Sequence, residues 1–178
     1  ARKMEKDGEN SYHIRDESLS REQYQRELEK FNLYHALKSI VRQEQINDVI
    51  LLDPEQRFLW IKDLLSSAGT DGCIQIIHEG LAPYFRQYLG LLFPSGEGNL
   101  EVIERNGRKG VEIEVNLPGN RKRKSHQLSG GEKSVTSLAL KLAVFKQLES
   151  PFYLFDEVEP SLDYSNHKSM RALLTTLS

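Results

Sequence analysis

A polar turn, a helix and a short apolar strand closing on two acids follow one another late in the chain, and together they restrict the fold more than any other feature. Leu128-Ser129-Gly130-Gly131-Glu132-Lys133 leads into residues 134–148, where Val135, Leu138, Leu142 and Phe145 recur on one helical stripe. Phe152-Tyr153-Leu154-Phe155 is then a continuous apolar run of the kind found in fully buried parallel strands, and it stops at Asp156-Glu157. A parallel strand needs a crossover connection and cover on both faces, so the pattern predicts an α/β core. Acids at the carboxyl end of such a strand lie at the sheet edge where ligands of open α/β folds collect.

Upstream, the punctuation is regular. Ser20-Arg21-Glu22-Gln23 reads as a capping box opening a helix with Tyr24, Leu28 and Phe31 on one face. Ile40 to Ile46 reads as a strand end running into a loop. Asp53-Pro54-Glu55-Gln56 opens a second helix, to about Ser67, with Phe58, Leu59, Ile61, Leu64 and Leu65 as its apolar face. Ala68-Gly69-Thr70-Asp71-Gly72 breaks the pattern and is the best candidate boundary, after which Ile77, Leu81, Phe85, Tyr88 and Leu92 resume helical spacing over residues 74–93. Pro94 to Gly98 is a turn. Leu100-Glu101-Val102 and the alternating Val111 to Val115 flank Asn106-Gly107, predicting a hairpin whose loop exceeds two residues. The chain shows no internal repeat.

At 178 residues the chain is one ordinary domain or two very small ones. Its 24 basic and 26 acidic residues leave a formal charge of −2, which excludes coating nucleic acid by bulk charge and makes any such contact local. No run approaches the roughly 18 apolar residues of a membrane span. The single Cys73 cannot pair within the chain and no leader opens the sequence, so a reducing cytosolic or nuclear compartment is expected. The one dense basic run, Arg121-Lys122-Arg123-Lys124, is read as a solvated loop, with contact to DNA phosphates or a nuclear address as the alternatives.

Two places carry chemistry. Ser129 and the glycines that follow leave backbone donors uncovered at a positive helix end, which suits a phosphate; the plainer alternative is a serine-capped helix after a glycine turn. Asp156 and Glu157 match a strand end where one carboxylate helps hold magnesium and the next polarises a water attacking a γ-phosphate; the alternative is two solvated acids closing a strand.

The stretches Leu128 to Ser134, Pro151 to Glu159 and Ser161-Leu162-Asp163 together resemble the signature motif, Walker B strand and D-loop of ABC-type ATPase heads, and more closely those of the structural maintenance of chromosomes (SMC) family. Asn10 to Ile14, Val41 to Ile46 and Asp53 to Arg57 with Ala68-Gly69 look like the second half of the family's N-terminal lobe, and Phe93 to Gly98 with the hairpin like the start of its C-terminal lobe. The resemblance implies an incomplete ABC-type P-loop NTPase head with a mixed sheet and flanking helices, its two lobes meeting at residues 1–70 and 71–178. It implies Glu157 as general base; Gln43 and Asp156 at a magnesium ion, with Gln45 a rival for the first; and Gln43, Ser129, Gly130, Gly131, Glu132 and Asp163 at ATP. The partners it implies are a second head, a kleisin subunit and DNA, on the chromosome of a nucleus or a bacterial nucleoid, and the family's coiled coil would leave and return near Thr70 to Cys73. Two features depart from the pattern: no Gly-x-x-x-x-Gly-Lys-Ser/Thr occurs, and none of His13, His35, His78, His126 and His167 matches the family's switch histidine. A related DNA-repair coiled-coil ATPase and a non-catalytic interaction module are the rival readings.

Overall fold

A computed structural model describes residues 2–4, 10–14, 17–30, 40–42, 46–65, 69–93, 96–117, 121–148, 152, 154–156, 169, 170, 173 and 175. The chain divides into two compact units, Ala1–Ser39 with Ser150–Tyr153, and Ile40–Glu149 with Leu154–Ser178.

In the first unit β1 (Arg2–Met4), β2 (Asn10–Ile14) and β3 (Glu17–Leu19) form an antiparallel sheet in that order, followed by α1 (Arg21–Lys30). The expected capping box is present. The Ser20 amide donates to Gln23 Oε1 at 2.9 Å, and the Gln23 amide donates to Ser20 Oγ at 3.2 Å. Tyr24 and Leu28 are half-buried and no α1 residue is fully buried, as a narrow apolar stripe dictates.

The second unit opens with β4 (Ile40–Arg42), the four-residue α2 (Asp48–Leu51) and α3 (Pro54–Leu64). Asp53 caps α3 by accepting from the Gln56 amide at 2.8 Å, with Pro54 at the first helical position. α4 (Thr70–Ile76) passes through a π turn (Ile77–Leu81) into α5 (Ala82–Leu92). Ile77, Leu81, Phe85, Leu89 and Leu92 are buried along one side of this rod, which packs on α6 (Gly130–Gln147) and on β5 (Glu97–Arg105). Where β5 crosses α5, a Cβ on Gly98 would lie 2.5 Å from Phe85 and 2.7 Å from Leu89, so the crossing requires a bare backbone. β5, β6 (Arg108–Leu117) and β7 (Arg121–Lys124) form an antiparallel sheet, a 3₁₀ turn (Ser125–Gln127) leads to α6, and β8 (Leu154–Asp156) pairs in parallel with β4.

Several expectations are corrected. The hairpin loop is two residues long: Arg105 pairs with Arg108, and Asn106 and Gly107 take φ of 52° and 75°, the left-handed pair that a tight hairpin of this twist demands. Charged residues beside the turn had masked the strand ends, yet Lys109 and Glu104 face each other there as an ion pair. Gly72 lies inside α4, whose N-cap is Gly69, so the glycine cluster starts a helix. Leu59 is 54% exposed, because two residues from Ile61 is the opposite side of a helix.

α6 is buried on all sides from Ser134 to Phe145, where a single apolar stripe was expected. Ser134 Oγ and Thr136 Oγ1 donate back to the Gly130 and Glu132 carbonyls at 3.2 and 2.7 Å, and the Lys141 ammonium meets Asp48 Oδ1 of α2 at 2.7 Å, so these three polar groups enter the core with partners, while the Ser137 hydroxyl has none among the described residues. β8 is parallel as expected but not buried: Leu154 is 51% exposed, and β4 is its one strand partner among the described residues. The basic run is strand β7, in which Lys122, Arg123 and Lys124 pair with Glu114, Glu132 and Glu112. Among the described residues no helix is long and apolar enough to cross a membrane.

Candidate functional site

Two edges of the second unit hold the described residues among those singled out above. At the first, Ser129 is the N-cap of α6, in extended backbone. Its amide donates to Glu132 Oε2 at 2.7 Å, and its Oγ accepts from the Glu132 amide at 3.4 Å. Arg123 of β7 donates to the same Glu132 oxygen at 3.4 Å, so the carboxylate is held from two sides. Leu128, buried, pins the turn while Ser129 and Gly130 stay exposed. A Cβ on Gly130 would meet nothing within 4 Å. The Gly130 and Gly131 amides, in the first turn, have no acceptor within the helix, and the positive end of an 18-residue helix stands behind them. The Ser129 amide, expected to be uncovered with them, is turned inward to Glu132.

At the second edge, parallel pairing puts Ile40 beside Leu154, Val41 beside Phe155 and Arg42 beside Asp156. Both strands therefore present their carboxyl ends together, and Asp156 is exposed there. Gln43 and Glu157 are next in the chain after these register partners. They lie outside the described residues, as do Gln45 and Asp163. His78 and His126 are exposed, and among the described residues no cluster of three or more His, Cys, Asp or Glu gathers to hold a metal. Burial pushes the Cys73 thiol up, with Lys62 opposing, so the thiol is protonated and structural.

One residue with no expected role stands out. Arg57 of α3 is fully buried, and burial pushes its guanidinium down from the ordinary value while Glu112 and Asp53 oppose the shift. The available signal was its position: Arg57, Ile61 and Leu64 share one helical stripe, and a cation in an apolar stripe must bring its own acceptors.

Over residues 1–178 the sequence matches the family described as the RecF/RecN/SMC N-terminal domain. The chain belongs to this family. Chromosome partition protein Smc of Mycobacterium tuberculosis is 37% identical over 123 residues, covering 65% of this chain and 10% of that protein. The mitotic chromosome and X-chromosome-associated protein mix-1 of Caenorhabditis elegans is 33% identical over 100 residues, covering 56% of this chain and 8% of that protein. Among solved structures, an Smc head bound to the C-terminal winged-helix domain of ScpA superposes with a TM-score of 0.82 at 28% identity, covering 98% of this chain and 55% of that one. The SMC head domain from Thermotoga maritima gives 0.57 at 28% identity, covering 98% and 53%. The fold is accordingly that of an SMC head, and the chain spans about half of these solved heads and about a tenth of the curated SMC relatives.

Proposed function

We propose that this chain is part of the ATPase head of an SMC-type chromosome-organising protein, in which two heads close on two ATP molecules and hydrolysis parts them. The observation that carries the reading is the exposed, serine-capped N-terminus of α6, with bare backbone at Gly130. A γ-phosphate brought by a second head fits such an end, since the Gly130 and Gly131 amides and the Ser129 hydroxyl are the donors placed outermost. Glu132 supports this turn through the capping box. Asp156, an exposed carboxylate at a strand end, suits magnesium, which keeps several waters and takes one or two carboxylates beside phosphates. Glu157 would take the proton of the attacking water, Gln43 would reach the magnesium shell from the neighbouring strand end, and Asp163 would contact the other head across the seam. Bound magnesium-ATP supplies the electrophilic phosphorus and a cation that neutralises developing charge.

The same reading assigns residues 1–70 to the N-terminal lobe and 71–178 to the C-terminal lobe. It makes a kleisin a partner, as the ScpA complex of the similar head suggests, and DNA the substrate moved or held, on the chromosome. Because the 178 residues contain no Gly-x-x-x-x-Gly-Lys-Ser/Thr, they are expected not to bind or hydrolyse ATP by themselves.

The test is Ser129→Arg in the full-length protein. A bulky cation at this helix end blocks the second head's phosphate but leaves the head's own nucleotide site intact. ATP binding should persist, and ATP-dependent association of heads in the analytical ultracentrifuge should be lost. Unchanged association would remove Ser129 from the trans site.

A further inference from the structure

A buried side chain ties the turn that delivers Ser129 to the rest of the head. Arg57 reaches five acceptors within 3.4 Å. Its Nε donates to the Val49 carbonyl at 3.1 Å, and its Nη2 to the Ile50 and Leu52 carbonyls at 3.3 and 2.6 Å. These are the carbonyls at the end of α2, which a four-residue helix leaves without intrahelical donors. Nη1 donates to the Val111 carbonyl of β6 at 2.5 Å, and Nη2 also reaches Ser125 Oγ at 3.4 Å. Ser125 is buried, opens the 3₁₀ turn and stands four residues before Ser129.

A second tie runs beside the first. Lys124 Nζ meets Glu112 of β6 at 3.2 Å, and the Lys124 amide donates to Gln127 Oε1 at 2.9 Å, closing the turn on itself. The approach to the signature is thus clamped at Lys124 to β6 and at Ser125 to Arg57. Arg57 in turn holds α2, which begins five residues after Gln43. A planar fork with five donors can satisfy three segments at once, which an ammonium cannot.

We infer that Arg57 is a positioning residue for the signature serine: its guanidinium locks α2, β6 and the Ser125 turn into one arrangement, so that Ser129 is presented in fixed register to a second head. The inference rests on the function proposed above and adds to it a residue that touches no nucleotide. An arginine serving stability alone predicts something different. It would tolerate loss of its weakest, most distal acceptor without consequence for association, whereas a clamp on the turn transmits that loss to Ser129.

The decisive variant is Ser125→Ala in the full-length protein, because it deletes one hydroxyl and leaves the other four Arg57 acceptors in place. Thermal midpoint and affinity for nucleotide in a single head should stay at wild-type values. ATP-dependent association should weaken about three- to tenfold, the range of one ordinary hydrogen bond. Amide exchange should quicken across residues 124–129 and not in α5. Arg57→Lys should quicken exchange in both 48–52 and 124–129, and adding Ser125→Ala to it should weaken association no further. Ser125→Ala protein that associates and exchanges like wild type would overturn the positioning role alone. Wild-type protein that never associates in ATP would overturn the functional reading on which it rests.

Discussion

The two edges of the candidate site are built by different physics. The signature edge takes its cap from neighbours in sequence: Ser129 and Glu132 satisfy each other three residues apart and Leu128 anchors the turn, while Arg57 and Glu112 tie the approach to it at Ser125 and Lys124. Behind it stands α6, buried on all sides. The strand edge depends on partners distant in sequence. β4 and β8 lie more than a hundred residues apart in the chain and meet over three register pairs, with Leu154 half in solvent. The cap at one edge is pre-formed by local rules, and the other edge is only as firm as the sheet around it.

The largest effect that separates the two edges is chemical. Glu157→Gln in the full-length protein keeps the shape of the side chain and removes the base. Hydrolysis should fall on the order of 10²- to 10⁴-fold while nucleotide is retained. Steady-state phosphate release with a filter-retention assay reads both, and normal turnover would take Glu157 out of the strand edge's chemistry. Ser129→Arg should also keep binding but lose association, so the pair of variants assigns each edge its own step.

The same contrast explains what could be read from the sequence. The caps at Ser20, Asp53 and Ser129 were legible because a capping residue and its partner lie three positions apart, within reach of pattern reading. The parallel direction of β8 was legible from its unbroken apolar run, but its exposure was not, since burial is decided by what lies alongside. α6 read as one-sided because Ser134, Thr136 and Lys141 look like a wet face. Their hydroxyls bond back to the helix and the ammonium finds Asp48, information that no periodicity contains. Arg57 was hidden for the same reason, its acceptors being carbonyls at the end of α2 and in β6 and the hydroxyl of Ser125.

Stability should divide the edges less steeply than catalysis does. Leu138 of α6 is fully buried, and Leu138→Ala should cost about 2–5 kcal/mol from lost transfer and the cavity left behind. Leu154→Ala deletes a side chain already half in water and should cost only about 0.5 kcal/mol or less. Urea unfolding of both variants measures the difference. Equal losses would mean that β8 is as enclosed as the signature helix, and the comparison would fail.

The smallest expected effect concerns how α6 accepts a charge. Burial pushes the Lys141 ammonium below its ordinary value of 10.5, and the hydrogen bond and charge of Asp48 only partly restore it. The native protein therefore binds this proton less tightly than the unfolded chain does. Below the lowered native value both states are protonated and the full cost of burying the charge is present. As pH rises through the lowered native value the folded state sheds its proton first, so the cost shrinks, and above 10.5 it is gone. Stability of the native protein relative to Lys141→Met, which carries no charge, should thus climb across the alkaline window that ends near 10.5, by at most about 1.4 kcal/mol per pH unit. Paired urea titrations at stepped alkaline pH read this difference directly and cancel the titration of every other group the two proteins share. A difference that stays flat or falls with pH would show that Asp48 and its surroundings hold the ammonium as well as water does, and α6 would then carry its lysine without penalty.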